Sequence, residues 1–238
     1  MSVTQTRAES ESASSGACWN CQAPVGGVHF CAACGKIQPL PKDASYFAFF
    51  GLPEKLRIDP AVLEQKFLKL SWKLHPDNFV QANEYERNLS LERSSELNDA
   101  YRTLRDPLAR IEYLLEREGA RKEGATKQQA PPELLEEVFE LNESLDELRE
   151  ARESGGDLAS LRSRLESAQT DFQEKLDGTD AELSAVSAEW DAAIDAHADS
   201  TARQNVRLAL MSRMNEILNR RSYIRNLVAS VAKELSEG

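Results

Sequence analysis

The chain has 238 residues and a net charge of −11 at pH 7, long enough for one large domain or two small ones with separate cores. Apolar residues make up an ordinary 41% and charged residues a high 29%, the profile of a surface-rich, helical protein. No apolar run approaches the roughly 20 residues that cross a bilayer, and the acidity is concentrated late (residues 1–40 sum to 0, 41–120 to −2, 121–238 to −9), which argues against nucleic acid or anionic membrane as main partners.

Residues 1–17 are rich in Ser and Ala and set Glu9 and Glu11 against a single Arg7. They lack the apolar core of a secretory signal and carry the acids that transit peptides avoid. A disordered tail on a cytoplasmic protein is the expectation.

All four cysteines follow in one arrangement, Cys18-x2-Cys21, nine residues, Cys31-x2-Cys34. Each pair can wrap two thiolates around one ion, and two such turns complete a four-sulfur shell. Gly35 after the last ligand is expected to let backbone N–H groups approach sulfur closely. A module of residues 18–40 is too short for an apolar core, so bound metal has to supply its folding energy. Disulfides fit poorly with a chain showing no export signal, and a redox Cys-x-x-Cys normally occurs singly within a βαβ pattern. Structural zinc is therefore expected at Cys18, Cys21, Cys31 and Cys34; iron takes the same ligands and stays open. His29 is surplus to a shell already closed by four thiolates.

Pro39 and Pro41 mark a short linker, after which 43–119 reads as four helices. The first spans Ser45–Phe50 and ends at Gly51. The second opens at Asp59-Pro60, a capping residue followed by proline at the first helical position, and runs to Leu74. The third covers about Asn83 to Arg105. Asp106-Pro107 starts the fourth, which stops before Gly119 as C-cap. On the second helix Leu63, Phe67, Leu70 and Leu74 form the core stripe, matched on the third by Leu97, Ala100, Tyr101 and Leu104. Trp72 falls about opposite that stripe and is expected against the first helix, the linker or the cysteine module, with a partner contact as the lesser alternative.

Antiparallel packing of the second and third helices leaves His75-Pro76-Asp77 at an exposed corner. Pro76 restricts its own backbone and that of His75, so the corner is stiff. Lys66, Lys69 and Lys73 form a positive stripe beside the core stripe, either an ordinary solvated face or a docking surface for an acidic partner. The sequence supplies no nucleophile or orienting acid for His75, so docking rather than catalysis is expected and the chain is not read as an enzyme.

Residues 120–130 are polar and aperiodic, a linker. From 131 to 238 the sequence reads as an antiparallel helical bundle: Pro131 to about Arg152, ended at Gly155-Gly156; Asp157 to Leu176, closed by Gly178; Ala181 to Asp195; and Ala202 to Leu235. In the first of these, Leu134, Val138, Leu141, Leu145 and Leu148 form the core stripe. Leu135 and Phe139 fall beside it, as edge-of-core residues or as an exposed protein-binding patch.

The runs Tyr46-Phe47-x2-Phe50-Gly51-Leu52-Pro53, His75-Pro76-Asp77-Asn78-Phe79 and Leu97-Asn98-Asp99-Ala100-Tyr101-Arg102-Thr103-Leu104-Arg105-Asp106-Pro107-Leu108, continued by Arg110 and Tyr113-Leu114-Leu115, resemble the J-domain co-chaperones of the HscB family. A paired Cys-x-x-Cys module ahead of the J-domain is similar to eukaryotic relatives. The resemblance implies an all-α protein with a small zinc module, a J-domain hairpin and a C-terminal bundle. It implies that His75, Pro76 and Asp77 trigger hydrolysis in a heat-shock ATPase of the DnaK/HscA class, docked by Lys66, Lys69 and Lys73. It further implies that the bundle holds an iron–sulfur scaffold protein through Leu135, Phe139 and Tyr223, with Glu140 and Glu143 at the rim, assisting cluster transfer.

The chain departs from the family at Asn78, where lysine is common, and at Glu136 and Asn142, where bacterial relatives carry an apolar and a basic residue. The longer stretch between Leu176 and Met211 fixes the alignment of Tyr223 with the family only to within about a turn. Two rival readings stand: a J-protein serving another client, and an electron-transfer protein built on the four-cysteine site. The job of the cysteine module, from stabilising the J-domain to self-association or sensing, is open.

Overall fold

A computed structural model describes residues 16–25, 29–41, 43–121, 131–196 and 200–236. The tail before residue 16 and most of the 120–130 linker lie outside these residues. Two compact units emerge: residues through Glu54 with Ile58–Ala109, and Lys55–Arg57 with Arg110–Gly238. The division between them falls inside a helix rather than at Gly119.

The first unit opens with strands β1 (Gly16–Ala17) and β2 (Pro24–Val25), antiparallel with Gly16 opposite Val25. The expected tail therefore loses its last two residues to the cysteine module, because the first cysteine turn folds the chain back on itself. Helix α1 (Tyr46–Phe49) is capped by Ser45, whose hydroxyl accepts from the Ala48 N–H. Helix α2 (Pro60–Leu74) starts on Asp59, whose carboxylate takes the Ala61 N–H. Helix α3 (Glu84–Arg105) is capped by Asn83 through the Glu86 N–H. These starts agree with the capping residues in the sequence. The core stripe holds in part: Leu63 and Leu74 of α2 and Leu97, Ala100 and Leu104 of α3 are buried, whereas Phe67, Leu70 and Tyr101 are half-buried at its edge. Phe67 stacks on Tyr101 at 4.1 Å between ring centres, an aromatic contact worth about 1 kcal/mol beyond burial.

Helix α4 (Pro107–Arg117) begins where Asp106 accepts the Leu108 and Ala109 N–H groups. Its Ile111, Leu114 and Leu115 are buried, and Gly119 beyond it sits at φ +66. In the second unit, α5 (Leu135–Ser154) follows a 3-10 turn at Pro132–Leu134 and ends at Gly155, in the left-handed conformation that glycine adopts without strain. Helix α6 (Leu158–Asp195) packs on α5 and along α7 (Ser200–Ser236). The expected core of α5 is found: Leu134, Val138, Leu141, Leu145 and Leu148 pack with Leu165, Phe172 and Leu176 of α6 and Ile224 and Val231 of α7.

One element differs. Gly178 does not close a helix; α6 runs through it for 38 residues. Mid-helix glycine costs about 1 kcal/mol relative to alanine, which Leu176, Thr179, Leu183 and Val186, buried on both sides of it, readily outweigh.

The three-residue segment Lys55–Arg57 belongs to the second unit. Asp191 accepts the Leu56 and Arg57 N–H groups at 2.7 and 3.0 Å. The buried Arg110 guanidinium donates to the Leu56 carbonyl.

Candidate functional site

The corner between α2 and α3 is built to be rigid and open. Leu74 ends α2, and its orphan carbonyl accepts from both Ser90 Oγ and Ser94 Oγ of α3, at 2.8 and 2.9 Å. Pro76–Phe79 forms a single 3-10 turn, with the Asn78 N–H donating to the His75 carbonyl and the Phe79 ring buried beneath. The Asn78 side-chain amide reaches back to the Trp72 carbonyl at 2.6 Å. Fixed from three sides, the turn still presents its side chains to solvent: His75 and Asp77 are 56% and 85% exposed. Their mutual geometry is local, with the Asp77 N–H donating to His75 Nδ1 at 3.3 Å.

The three lysines do not behave alike. Lys69 and Lys73 are exposed, whereas Lys66 is half-buried and donates to the Phe50 carbonyl at 3.0 Å, tying α2 to the end of α1. Trp72 lies against none of the elements expected to cover it and is 77% exposed. Its position opposite Leu63 and Leu74 carries it outward, and none of the described residues covers it.

The cysteines form a compact centre. Their four Sγ atoms lie within 4.8 Å of one another, with Cys18–Cys34 at 3.6 Å and Cys21–Cys31 at 3.7 Å. A tetrahedron of sulfurs bound at about 2.3 Å has an edge of about 3.8 Å, so the pairs fit one ion. The two turns are alike: Gln22 and Gly35, each following the second cysteine of its pair, have φ of 62 and 71. Gly35 serves this left-handed turn, and its N–H goes to the Cys31 carbonyl rather than to sulfur as anticipated. The Cys18 sulfur, among others, accepts from the Asn20 N–H and the Gln38 side-chain amide, at 3.4 and 3.3 Å.

Burial opposes ionisation of Cys18, but the Cys21 and Asn20 N–H groups and the neighbouring Cys34 and Cys21 thiols draw its pKa down to about 6. At Cys21 the Ala23 N–H pulls down, yet burial and three sulfur neighbours push the thiol up to about 12. Four thiols crowded this closely cannot all ionise without a cation among them, which fits a metal centre.

Gln38 was not legible as a site residue; the only trace is a polar side chain set between Ile37 and Pro39. Equally unsigned in sequence are the bonds that seat the module on the hairpin. His29 Nε2 donates to the Phe49 carbonyl at 2.8 Å, Lys36 pairs with buried Glu86 at 2.7 Å, and Trp19 packs edge-on against Tyr85. Burial, outweighing the Phe49 bond, holds His29 below the usual histidine range, so it is neutral at pH 7. It is a packing residue, outside the sulfur shell.

On α5, Leu135 and Phe139 are 56% and 70% exposed, so they stand clear of the core. Glu136, Glu140 and Glu143 are exposed around them. Glu140 and Glu143 also line a groove toward α6 with Asp171 and Lys175, floored by Leu141 and Phe172. Tyr223 is half-buried and packs on the bundle core from α7, a setting that raises its pKa by burial.

No family model matches the chain. A co-chaperone protein HscB homolog of Vibrio vulnificus (strain YJ016) is 32% identical over 151 residues, 63% of this chain and 85% of that protein. The iron-sulfur cluster co-chaperone protein HscB of Mus musculus is 35% identical over 132 residues, 54% of this chain and 56% of that protein. Among solved structures, human co-chaperone protein HscB aligns with a TM-score of 0.59 at 25% identity, covering 92% of this chain and 98% of that one. Chaperone HscB from Vibrio cholerae aligns with a TM-score of 0.50 at 24% identity, covering 82% and 99%, a likeness of fold.

Proposed function

The chain belongs to the HscB co-chaperone family, and we propose that it is a non-catalytic co-chaperone of iron–sulfur cluster assembly. Its first unit stimulates a heat-shock ATPase through His75-Pro76-Asp77, with Lys69 and Lys73 facing the acidic surface of that partner. Lys66 contributes by bracing α2 on α1. The bundle carries an iron–sulfur scaffold protein on Leu135 and Phe139, rimmed by Glu140 and Glu143, with Tyr223 supporting from α7. Joining the client and the hydrolysis trigger in one chain raises the effective concentration of each at the ATPase.

The observation that carries the reading is the open corner: two exposed polar side chains, His75 and Asp77, flank a stiffening proline in a turn held in one geometry by Ser90, Ser94 and Asn78. The cysteine module would hold one structural zinc ion through Cys18, Cys21, Cys31 and Cys34. Bound there, zinc neutralises the thiolates and supplies folding energy. Four unpaired thiols gathered for a metal suit a reducing compartment, so we place the protein in the cytoplasm.

Binding to a purified iron–sulfur scaffold protein tests the client half. Phe139→Ala is expected to weaken that binding by about tenfold, the loss typical of an exposed aromatic anchor. Undiminished affinity assigns the bundle to another client. Metal analysis decides the centre: one zinc per chain is expected, and a red, redox-active iron site favours the electron-transfer reading.

A further inference from the structure

We infer that Trp72, with Leu68 one turn before it, is an apolar anchor that seats in a cleft of the heat-shock ATPase, beside the acidic surface met by Lys69 and Lys73. This rests on the co-chaperone reading and names a specificity-determining contact within it.

Four observations converge. Tryptophan is among the residues most consistently withdrawn from water, yet this one is 77% exposed and Leu68 is 59% exposed. Nothing in the hairpin needs them, because the core side of α2 is already filled by Leu63 and Leu74. Lys69 and Lys73 lie one helical turn before and one residue after Trp72, so a single face of α2 combines an apolar ridge with two solvated cations. Such a face fits a partner of acidic, cleft-bearing surface: the lysines steer the approach, while a buried indole supplies affinity.

The fourth observation joins this face to the trigger. The Trp72 carbonyl, near the end of α2 and lacking an intrahelical partner, accepts the side-chain amide of Asn78 at 2.6 Å. Asn78 directly follows His75-Pro76-Asp77. Anchor and trigger are therefore parts of one rigid turn, and seating the indole fixes where the tripeptide lies on the partner. The asparagine that departs from the family pattern makes this link.

The test titrates the full chain into a purified DnaK-class heat-shock ATPase and reads both stimulation and tryptophan fluorescence. Trp72→Ala is expected to raise the concentration for half-maximal stimulation by about tenfold or more, and Trp72→Phe by less. Because Trp190 is fully buried and Trp19 is packed on Tyr85, a blue shift on adding the ATPase should come from Trp72 and vanish in Trp72→Phe. Added salt should weaken binding of the unmodified chain and of Trp72→Ala by the same factor, since the indole contact is uncharged. An unchanged half-maximal concentration for Trp72→Ala overturns the assignment. So does a blue shift that grows with chain concentration when the ATPase is absent, which marks a second copy as the occupant. If the unmodified chain gives no stimulation at all, the co-chaperone reading itself fails, and the anchor with it.

Discussion

Glu234 shows how single residues set the stability of the bundle. It lies near the end of α7, mostly buried, where Arg149 and Arg152 of α5 converge on it. Its hydrogen bond to Arg149 holds the carboxyl below the usual glutamate range against the opposing effect of burial. A carboxyl with a folded pKa below its unfolded value stabilises above the unfolded value, and that contribution disappears as pH falls through the folded value. Glu234→Gln is expected to cost about 1 kcal/mol at neutral pH, judged from a charge-assisted hydrogen bond that is partly screened. The gap to the unmodified protein should close in acid, as urea titrations across pH 7 to 3 will show. A gap that persists at the acid end contradicts the pairing.

At the scale of elements, two glycines with similar sequence surroundings do opposite things. Gly155 sits at φ +74 and ends α5, whereas Gly178 lies within α6 with open space where a Cβ would go. Gly178→Ala is expected to stabilise by about 0.5–1 kcal/mol, because it limits the unfolded chain and adds helix propensity. Gly155→Ala is expected to destabilise by about 1 kcal/mol, the strain of a left-handed alanine. Thermal melts of both variants check the pair; destabilisation by Gly178→Ala means that the helix breaks there.

The same contrast marks what could be read beforehand. Asp59-Pro60, Asn83 and Asp106-Pro107 announce helix starts through chemistry confined to three or four residues, and the structure follows them. Continuity at Gly178 depends on the burial of Leu183 and Val186 in an α6 that packs along α7, and no local pattern encodes a partner helix many residues away. The seat of the cysteine module is hidden for the same reason. Lys36–Glu86 spans 50 residues, and His29–Phe49 spans 20. Trp72 was placed on the correct face by helical periodicity, but periodicity cannot say whether anything covers that face.

For the whole molecule, the proposed function puts the trigger and the cargo surface on different units, and the cysteine module falls in the same unit as His75-Pro76-Asp77. Gln38, Ile37 and Cys18 are buried together, and Lys36, His29 and Trp19 fasten the module to α1 and α3. Removing the metal with a thiol-specific reagent and chelator is therefore expected to lower the thermal transition of the first unit and to leave the bundle transition in place. Amide exchange reads the two separately. Equal protection in α1 and at the start of α3 before and after removal contradicts the coupling.

Whether the open corner at His75-Pro76-Asp77 drives a partner is read by single-turnover ATP hydrolysis by a heat-shock ATPase with the unmodified chain or with His75→Gln. Because His75 is exposed and makes no core contact, the substitution should leave helical content and melting unchanged. Clear stimulation by the unmodified chain is expected, with loss of nearly all of it in the variant. Stimulation that survives His75→Gln in a folded protein contradicts that role of the corner.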